Sequence, residues 1–313
     1  MTPYFSIIIP LYNKEDFIAD TIKSVLNQTF TDFEIIVVND GSTDNSLKEL
    51  QSIKDHRIIT IQQKNQGVSI ARNNGIKNAK GDYITLLDAD DEWKPNHLEL
   101  FYKTIKQFPP NGALFCNAYD IKSSDNYIIK ATYNIEQVDH PHIIKDYFKA
   151  SLIDAIGWTS AICFNKKDFY DVGEFVPEFT SGQDLDLLIR FALRKTIVFN
   201  PTVTCCYNKT VKNSLSKKKY QEIRYTIVNS FKDEEAQNAS LNKYLNLNRY
   251  ALAMQCKLIG NKALYKKLIS EIDLKPLNLK QKTLLRTPRF SAILMKKFYF
   301  FLLKNKLYIS SFK

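Results

Sequence analysis

Acidic residues gather where apolar runs stop. Asp88-Ala89-Asp90-Asp91 sets three carboxylates within four positions, directly after the run at 82–87 (DYITLL). Carboxylates this close repel one another, and solvation alone explains them poorly unless a cation or several donors compensate. Hard divalent ions such as Mg²⁺ or Mn²⁺ accept oxygen-rich sites of this kind and complete their shells with water and a substrate phosphate. A second acidic run, Asn39-Asp40-Gly41-Ser42-Thr43-Asp44, follows 33–38 (FEIIVV). It is also good turn chemistry, with Ser42 or Asp44 able to cap the next helix, so Asp40 carries a structural reading beside a ligand-binding one. A third apolar run ends in Pro10-Leu11-Tyr12-Asn13. In doubly wound sheets the ligand lies outside the carboxyl ends of the strands, which is where these polar residues would sit.

The elements that must position them alternate. Residues 5–10 (FSIIIP) and 33–38 read as strands buried on both faces, and between them Phe17, Ile18, Thr21, Ile22, Val25 and Leu26 recur at helical spacing. A strand at 57–63, a helix at 69–79 ended by Lys80-Gly81, and a strand at 82–87 continue the pattern, which favours a parallel sheet. Next come a helix over 97–108 stopped by Pro109-Pro110, a strand at 113–119 and a weaker one at 127–133. A strand at 162–165 and a helix at 166–171 follow. The helix at 184–194 is expected to turn Leu185, Leu188, Ile189, Ala192 and Leu193 inward, and 197–199 and 203–207 read as edge strands. From Lys217 the sequence is helical in character.

The 313 residues are 44% hydrophobic and 12% aromatic, enough for a substantial core, which excludes collagen-like, low-complexity and disulfide-scaffold classes. The net charge of +11 is lopsided: residues 1–204 hold 21 basic and 27 acidic side chains, the remainder 23 basic and 6 acidic. Cys116, Cys163, Cys205, Cys206 and Cys256 form no CxxC pair and are odd in number, which suits a reducing compartment. The apolar run at 4–11 has no basic residue before it and reads as a strand, not a secretory signal. With no apolar stretch of roughly 18 to 20 residues, the expectation is a soluble or peripheral protein. His140 and His142 flank Pro141 without partner ligands and read as a turn; Gly67 and Gly75 belong to no phosphate-loop string.

The strings Ser6-Ile7-Ile8-Ile9-Pro10-Leu11-Tyr12-Asn13, Val38-Asn39-Asp40-Gly41-Ser42-Thr43-Asp44, Asn65-Gln66-Gly67 with Ala71-Arg72-Asn73, Leu87-Asp88-Ala89-Asp90-Asp91 and Gly182-Gln183-Asp184 resemble, in order, those of the inverting glycosyltransferases of family 2. The resemblance spans roughly the first 200 residues. It implies the GT-A fold: a Rossmann-like, mostly parallel sheet flanked by helices, carrying here a basic helical C-terminal extension. The implied organisation is a catalytic domain over 1–210, with a nucleotide-binding part at 1–120 and an acceptor part at 121–210, and a helical region over 211–313.

By the same resemblance Pro10, Tyr12 and Asp40 line a nucleobase pocket, Asp40 accepting from the base edge with Arg72 nearby. Asp88 faces the ribose, and Asp90 binds the Mg²⁺ or Mn²⁺ that bridges the diphosphate. Asp184, at a helix start, is the implied general base, although helix capping is an equally good reading of that position. Trp158 resembles a pocket-lining residue that stacks on a sugar, a core role being the alternative. The chain departs from the family in having Gln183 where Glu is usual, and no histidine from Tyr207 to Ser216, so that either Lys209 or Lys212 would meet the diphosphate or the metal would complete its shell with water. Asp186 reads as a solvated first-turn residue.

The implied activity is transfer of a hexose or N-acetylhexosamine from a UDP-sugar to a glycan or lipid-linked glycan in cell-surface polysaccharide synthesis, at a cytoplasmic or inner-membrane-face location. A sugar nucleotidyltransferase would need a glycine-rich basic loop where this chain has Leu11-Tyr12-Asn13-Lys14-Glu15. A non-catalytic membrane- or partner-binding module remains the alternative, and it predicts dispensable acids. The tail from Arg286 to Lys313 interleaves Phe290, Leu294, Phe298 and Phe300 with Arg289, Lys296, Lys297, Lys304 and Lys306. That pattern suits an in-plane helix on an anionic membrane, or a helix packed on the protein with a solvated basic face. Nucleic acid is disfavoured, since no binding module accompanies the charge.

Overall fold

The computed structural model describes residues 2–108, 113–122, 127–210 and 220–304, and for 299–304 the backbone alone. The chain divides into two compact units, Met1–Lys218 and Lys219–Lys313.

In the first unit, β1 (Phe5–Leu11) and β2 (Phe33–Asp40) are buried along nearly their whole length, because the sheet is covered on both faces. Phe5, Ile7, Ile9 and Leu11 of β1 join Ile18, Ile22 and Val25 of α1 (Ile18–Leu26) in the main core. The short α2 (Ser46–Ser52) and β3 (Ile58–Gln63) follow, then α3 (Val68–Asn78), which meets the opposite face of β1. Gly75 makes that approach possible: a Cβ there would lie 2.5 Å from Ile8 Cγ2 and 3.2 Å from Val38 Cγ2. After β4 (Tyr83–Leu86) come β5 (Glu92–Trp93), α4 (His97–Gln107), β6 (Ala113–Lys122), β7 (Ile128–Lys130), β8 (His142–Ile144) and α5 (Tyr147–Ala150). The unit closes with β9 (Ile162–Asn165), α6 (Lys166–Val172), α7 (Gln183–Arg194) and β10 (Thr196–Asn208).

One 10-stranded sheet results, in the order β3-β2-β1-β4-β9-β6-β10-β5, with β7 on β6 and β8 on β10. Strands β3, β2, β1 and β4 are parallel, so their carboxyl ends share one edge. The parallel alternation breaks at β9, which runs antiparallel to both β4 and β6. Reversed in this way, β9 brings the segment just before it, Trp158 to Ser160, to the edge where β4 ends.

Two expectations are corrected here. The proposed edge strands at 197–199 and 203–207 are one strand, β10, lying inside the sheet between β6 and β5. Pro201 reads as a break in sequence, but it falls at a register shift between Asn200 and Val203, where the strand tolerates a residue without an N–H. The inward face of α7 is also rotated from the expected one: it buries Gln183, Asp186, Leu187, Leu188, Ile189 and Phe191, leaving Leu185, Ala192 and Leu193 half-buried. Asp186 is not solvated. Its Oδ2 accepts from Arg190 Nη2 at 2.5 Å, and Arg190 also donates to the carbonyls of Val172 and Gly173 at the end of α6. The buried face thus carries the Asp186–Arg190 ion pair beside the apolar Leu187, Leu188 and Phe191.

The second unit is helical: α8 (Gln221–Asn229), α9 (Lys232–Gln237), α10 (Ala239–Ile259), α11 (Lys262–Glu271), α12 (Leu279–Arg286) and α13 (Arg289–Lys304). Its core gathers Tyr250, Ala253 and Cys256 of α10 with Leu264, Leu268 and Leu285. A fork-to-fork pair of Arg249 with Glu235, at 2.6 and 2.7 Å, ties α10 to α9. Lys257 donates to the carbonyls of Leu284, Leu285 and Thr287, closing the end of α12. All five cysteines are free thiols, four buried and Cys206 half-buried. Among the described residues, no helix is long and apolar enough to cross a membrane.

Candidate active site

The turns after β1 and β2 are latched together. Asn13, at φ 52°, accepts from Thr43 N (2.8 Å) and donates from its own N–H to Ser42 Oγ (3.2 Å). Lys14 N donates to Ser46 Oγ at 2.7 Å, and Glu15 N to Asp44 Oδ2 at 3.1 Å. Burial works to raise the Asp44 carboxyl, yet the donors of Ser46 and Glu15 hold it below the usual range. Ser42, Thr43 and Asp44 are therefore spent on joining two loops, and Tyr12, just beyond Pro10, is left exposed on this edge.

Asp40 is buried and clamps the loop that starts α3. Its Oδ1 accepts from Gln63 Nε2 and Gln66 N, both at 2.8 Å, and its Oδ2 from Gly67 N at 2.9 Å. Gly41 allows the turn to pass this loop: its φ is 71°, and a Cβ would lie 2.9 Å from Asn65 N. With three donors already in place, about one of the carboxylate's roughly four acceptor positions remains for a base edge.

Beyond β4 the carboxylates diverge. Asp91 is fully enclosed: its Oδ2 accepts from Ser160 Oγ (2.6 Å) and Trp158 Nε1 (3.0 Å), its Oδ1 from Asn208 N (2.9 Å). Burial, with the charges of Asp90 and Asp88, pushes its carboxyl up to about 8. Asp91 therefore knits β4, the segment before β9 and the end of β10 together. Trp158 is held by that bond, and Tyr207 stacks on it with ring centres 4.0 Å apart.

Asp88 and Asp90 instead face cations. Arg72 Nη2 donates to Asp88 Oδ1 at 2.5 Å, and Lys14 Nζ to Asp90 Oδ2 at 2.5 Å. Burial pushes the Asp90 carboxyl up, Lys14 pulls it back, and Asp88 adds to the rise. Arg72 is only 2% exposed and lies over the Phe175 ring, yet its Nε and Nη1 have no hydrogen-bond partner among the described residues. Buried donors left open in this way are costly without a ligand to meet them. Lys14 is the residue the sequence did not disclose: nothing in its type or spacing tells that it meets an aspartate 76 positions away.

A divalent cation would fit at Asp90, beside Asp88, as one completed by phosphate and water. Mg²⁺ is commonly held by one or two carboxylates plus substrate phosphates, and each of these aspartates retains an oxygen outside its ion pair. Among the described residues no cluster of three or more His, Cys, Asp or Glu side chains forms an all-protein cage.

Asp184 follows a segment that α3 holds. Ser69 donates to Phe179 O (2.9 Å), and Asn73 exchanges hydrogen bonds with the Phe175 backbone (2.8 and 3.1 Å), so α3 holds the segment that leads into α7. Gly182 turns the chain at φ 78°, and Asp184 stands half-buried in the first turn, its Oδ1 accepting from Leu185 N at 2.9 Å. Beside it the Oε1 of buried Gln183 has no hydrogen-bond partner among the described residues. Lys209 lies with its Nζ 5.5 Å over the Tyr207 ring, and Lys212 falls outside the described residues.

Comparison with known proteins converges on one family. The glycosyl transferase family 2 profile matches residues 6–168, just over half of the chain. Glycosyltransferase GlyA of Streptococcus pneumoniae is 34% identical over 163 residues, covering 50% of this chain and 23% of that protein. Glycosyltransferase GlyG of the same organism is 32% identical over 145 residues, covering 44% and 48%. The matched stretch thus spans less than half the length of these relatives. Among solved structures, S. aureus TarS 1–349 in complex with UDP-GlcNAc superposes with a TM-score of 0.65, covering 98% of this chain and 93% of that one at 18% identity. That likeness is one of fold: an α/β sheet flanked by helices in the GT-A arrangement, followed by helices. Family profile, ordered motifs and fold agree, and the chain belongs to glycosyl transferase family 2.

Proposed function

We propose that the chain is a metal-dependent inverting glycosyltransferase that moves a hexose or N-acetylhexosamine from a UDP-sugar to a hydroxyl of a glycan or lipid-linked glycan, in cell-surface polysaccharide synthesis. The observation that carries this reading is the pairing at the sheet edge of Asp88 with a buried Arg72 that has open donors, and of Asp90 with Lys14. A nucleoside diphosphate is the ligand class that uses both charges: anionic oxygens for the cationic side chains, and a ribose and base for the acids and Tyr12. That TarS has been solved with UDP and with UDP-GlcNAc supports this donor class.

Bound at Asp90, Mg²⁺ or Mn²⁺ would neutralise charge developing on the departing diphosphate. Arg72 orients Asp88 toward the ribose and offers its unpaired N–H groups to the nucleotide, while Lys14 adds an ammonium beside Asp90. Asp184 takes the proton of the acceptor hydroxyl as that oxygen bonds to the anomeric carbon, and the bond from that carbon to the diphosphate oxygen breaks with inversion. General-base help of this kind is worth about 10² to 10⁴ in rate.

The test is UDP release from a panel of UDP-sugars with Mn²⁺, with and without acceptor glycans. Asp184→Asn should lose about 10² to 10⁴ in turnover while still binding UDP. Near-wild-type turnover in that variant would remove Asp184 from its role. Failure of every donor, together with dispensable acids, would instead favour the non-catalytic module.

A further inference from the structure

Part of the last helix of the second unit leaves bulky apolar side chains exposed. Along α13, Phe290 is 72% exposed, Leu294 49%, Met295 49% and Phe298 61%. Phe290, Leu294 and Phe298 are spaced four apart, which places them along one stripe of the helix. Ala292, which falls on the other side, is buried, and α13 packs on α10. Among the described residues of α13, small Ala292 is thus buried while Phe290, Leu294, Met295 and Phe298 stand outward. A contiguous apolar stripe of this kind marks an interaction surface, whereas isolated exposed residues would not.

Charge narrows the partner. No Asp or Glu occurs after Asp273, whereas exposed Lys297, three positions after Leu294, borders the stripe, and exposed Arg286 stands just before the helix. Arg289 is engaged otherwise, donating to the Leu258 carbonyl at the end of α10. A protein partner would bury the stripe but would need a matching acidic rim. An anionic bilayer meets both requirements, because apolar side chains enter the acyl boundary while lysines stay at the headgroups. We infer that the outward face of α13 is a docking surface for an anionic lipid bilayer, on which the helix lies in the membrane plane through the stripe that carries Phe290 and Leu294.

The experiment is co-sedimentation of the full chain with vesicles of phosphatidylcholine alone and of phosphatidylcholine mixed with phosphatidylglycerol, at low and high salt. The wild type should pellet with the anionic vesicles only, and less so at high salt. The pairs Phe290→Ser with Leu294→Ser, and Arg286→Glu with Lys297→Glu, should each weaken partition by roughly tenfold or more. All four positions are exposed, and circular dichroism verifies that the variants fold. Equal binding to neutral vesicles, no binding, or unchanged binding by both pairs would overturn the assignment. So would light scattering that showed a dimer dissociated by the serine pair, since the stripe would then belong to a second copy of the chain.

Discussion

The turns after β2 and β4 both follow a buried strand, both carry several acids, and their strands flank β1 on its two sides. Their wiring differs. After β2, Asp40 and Asp44 are satisfied by backbone N–H groups and by the side chains of Gln63 and Ser46, all neutral donors supplied by the loops themselves. After β4, Asp91 is satisfied in the same neutral way, but Asp88 and Asp90 meet full positive charges from Arg72 and Lys14. Neutral donors fix a carboxylate in place and complete its environment. A cation with further donors unspent leaves room for another anion. Counting acids therefore says little about where a ligand binds, whereas the charge and spare valence of their partners say a good deal.

Perturbing Asp91 should have the largest effect on this contrast. Asp91→Ala would leave the donors of buried Ser160 and of half-buried Trp158 and Asn208 without their acceptor, a loss of about 2 kcal/mol or more at roughly 1 to 3 kcal/mol for each fully buried orphan and less for the others. A urea midpoint that barely moved would show that Asp91 does not knit the edge. Lys14→Met should act on binding instead. With its ammonium gone, the affinity for UDP measured without divalent cation should drop about tenfold, near 1.4 kcal/mol, while the urea midpoint changes little. Unaltered affinity would place Lys14 outside the diphosphate's reach.

The smallest effect concerns His97, buried against Trp93 and bonded to Thr204, whose imidazole burial drives down to about 3. The folded form stays neutral where the unfolded chain, with a value near 6.5, gains a proton. Stability contributed there is complete above about pH 6.5 and is lost as the pH falls toward 3, amounting to about 0.8 kcal/mol by pH 6. The stability difference between the wild type and His97→Phe should therefore shrink on acidification from pH 7.5 to pH 6; a constant difference would mean that His97 titrates as an ordinary surface histidine.

Much of the edge was legible in sequence because its strands are long, β-branched and closed by turn residues: β1, β2, β3 and β4 lie where the apolar runs place them. What periodicity missed is short or polar. The two residues of β5 and the three of β8 are too few to show a period. Pro201 disguised one interior strand as two edge strands, and α7 buries Asp186, paired with Arg190, on the face that also holds Leu187 and Phe191. Candidate site residues could be named because acids at strand ends are conspicuous and their order resembles a family. Their partners could not, since Lys14 meets Asp90 and Asn208 meets Asp91 only after the sheet has closed.

The most direct measurement is calorimetric titration of UDP, with and without Mn²⁺, into the wild type, Asp90→Ala and Asp44→Ala. The wild type and Asp44→Ala should bind UDP more tightly when Mn²⁺ is present, and Asp90→Ala should lose that enhancement. An enhancement that survives in Asp90→Ala, or is missing from the wild type, would contradict a cation-assisted diphosphate site at the end of β4.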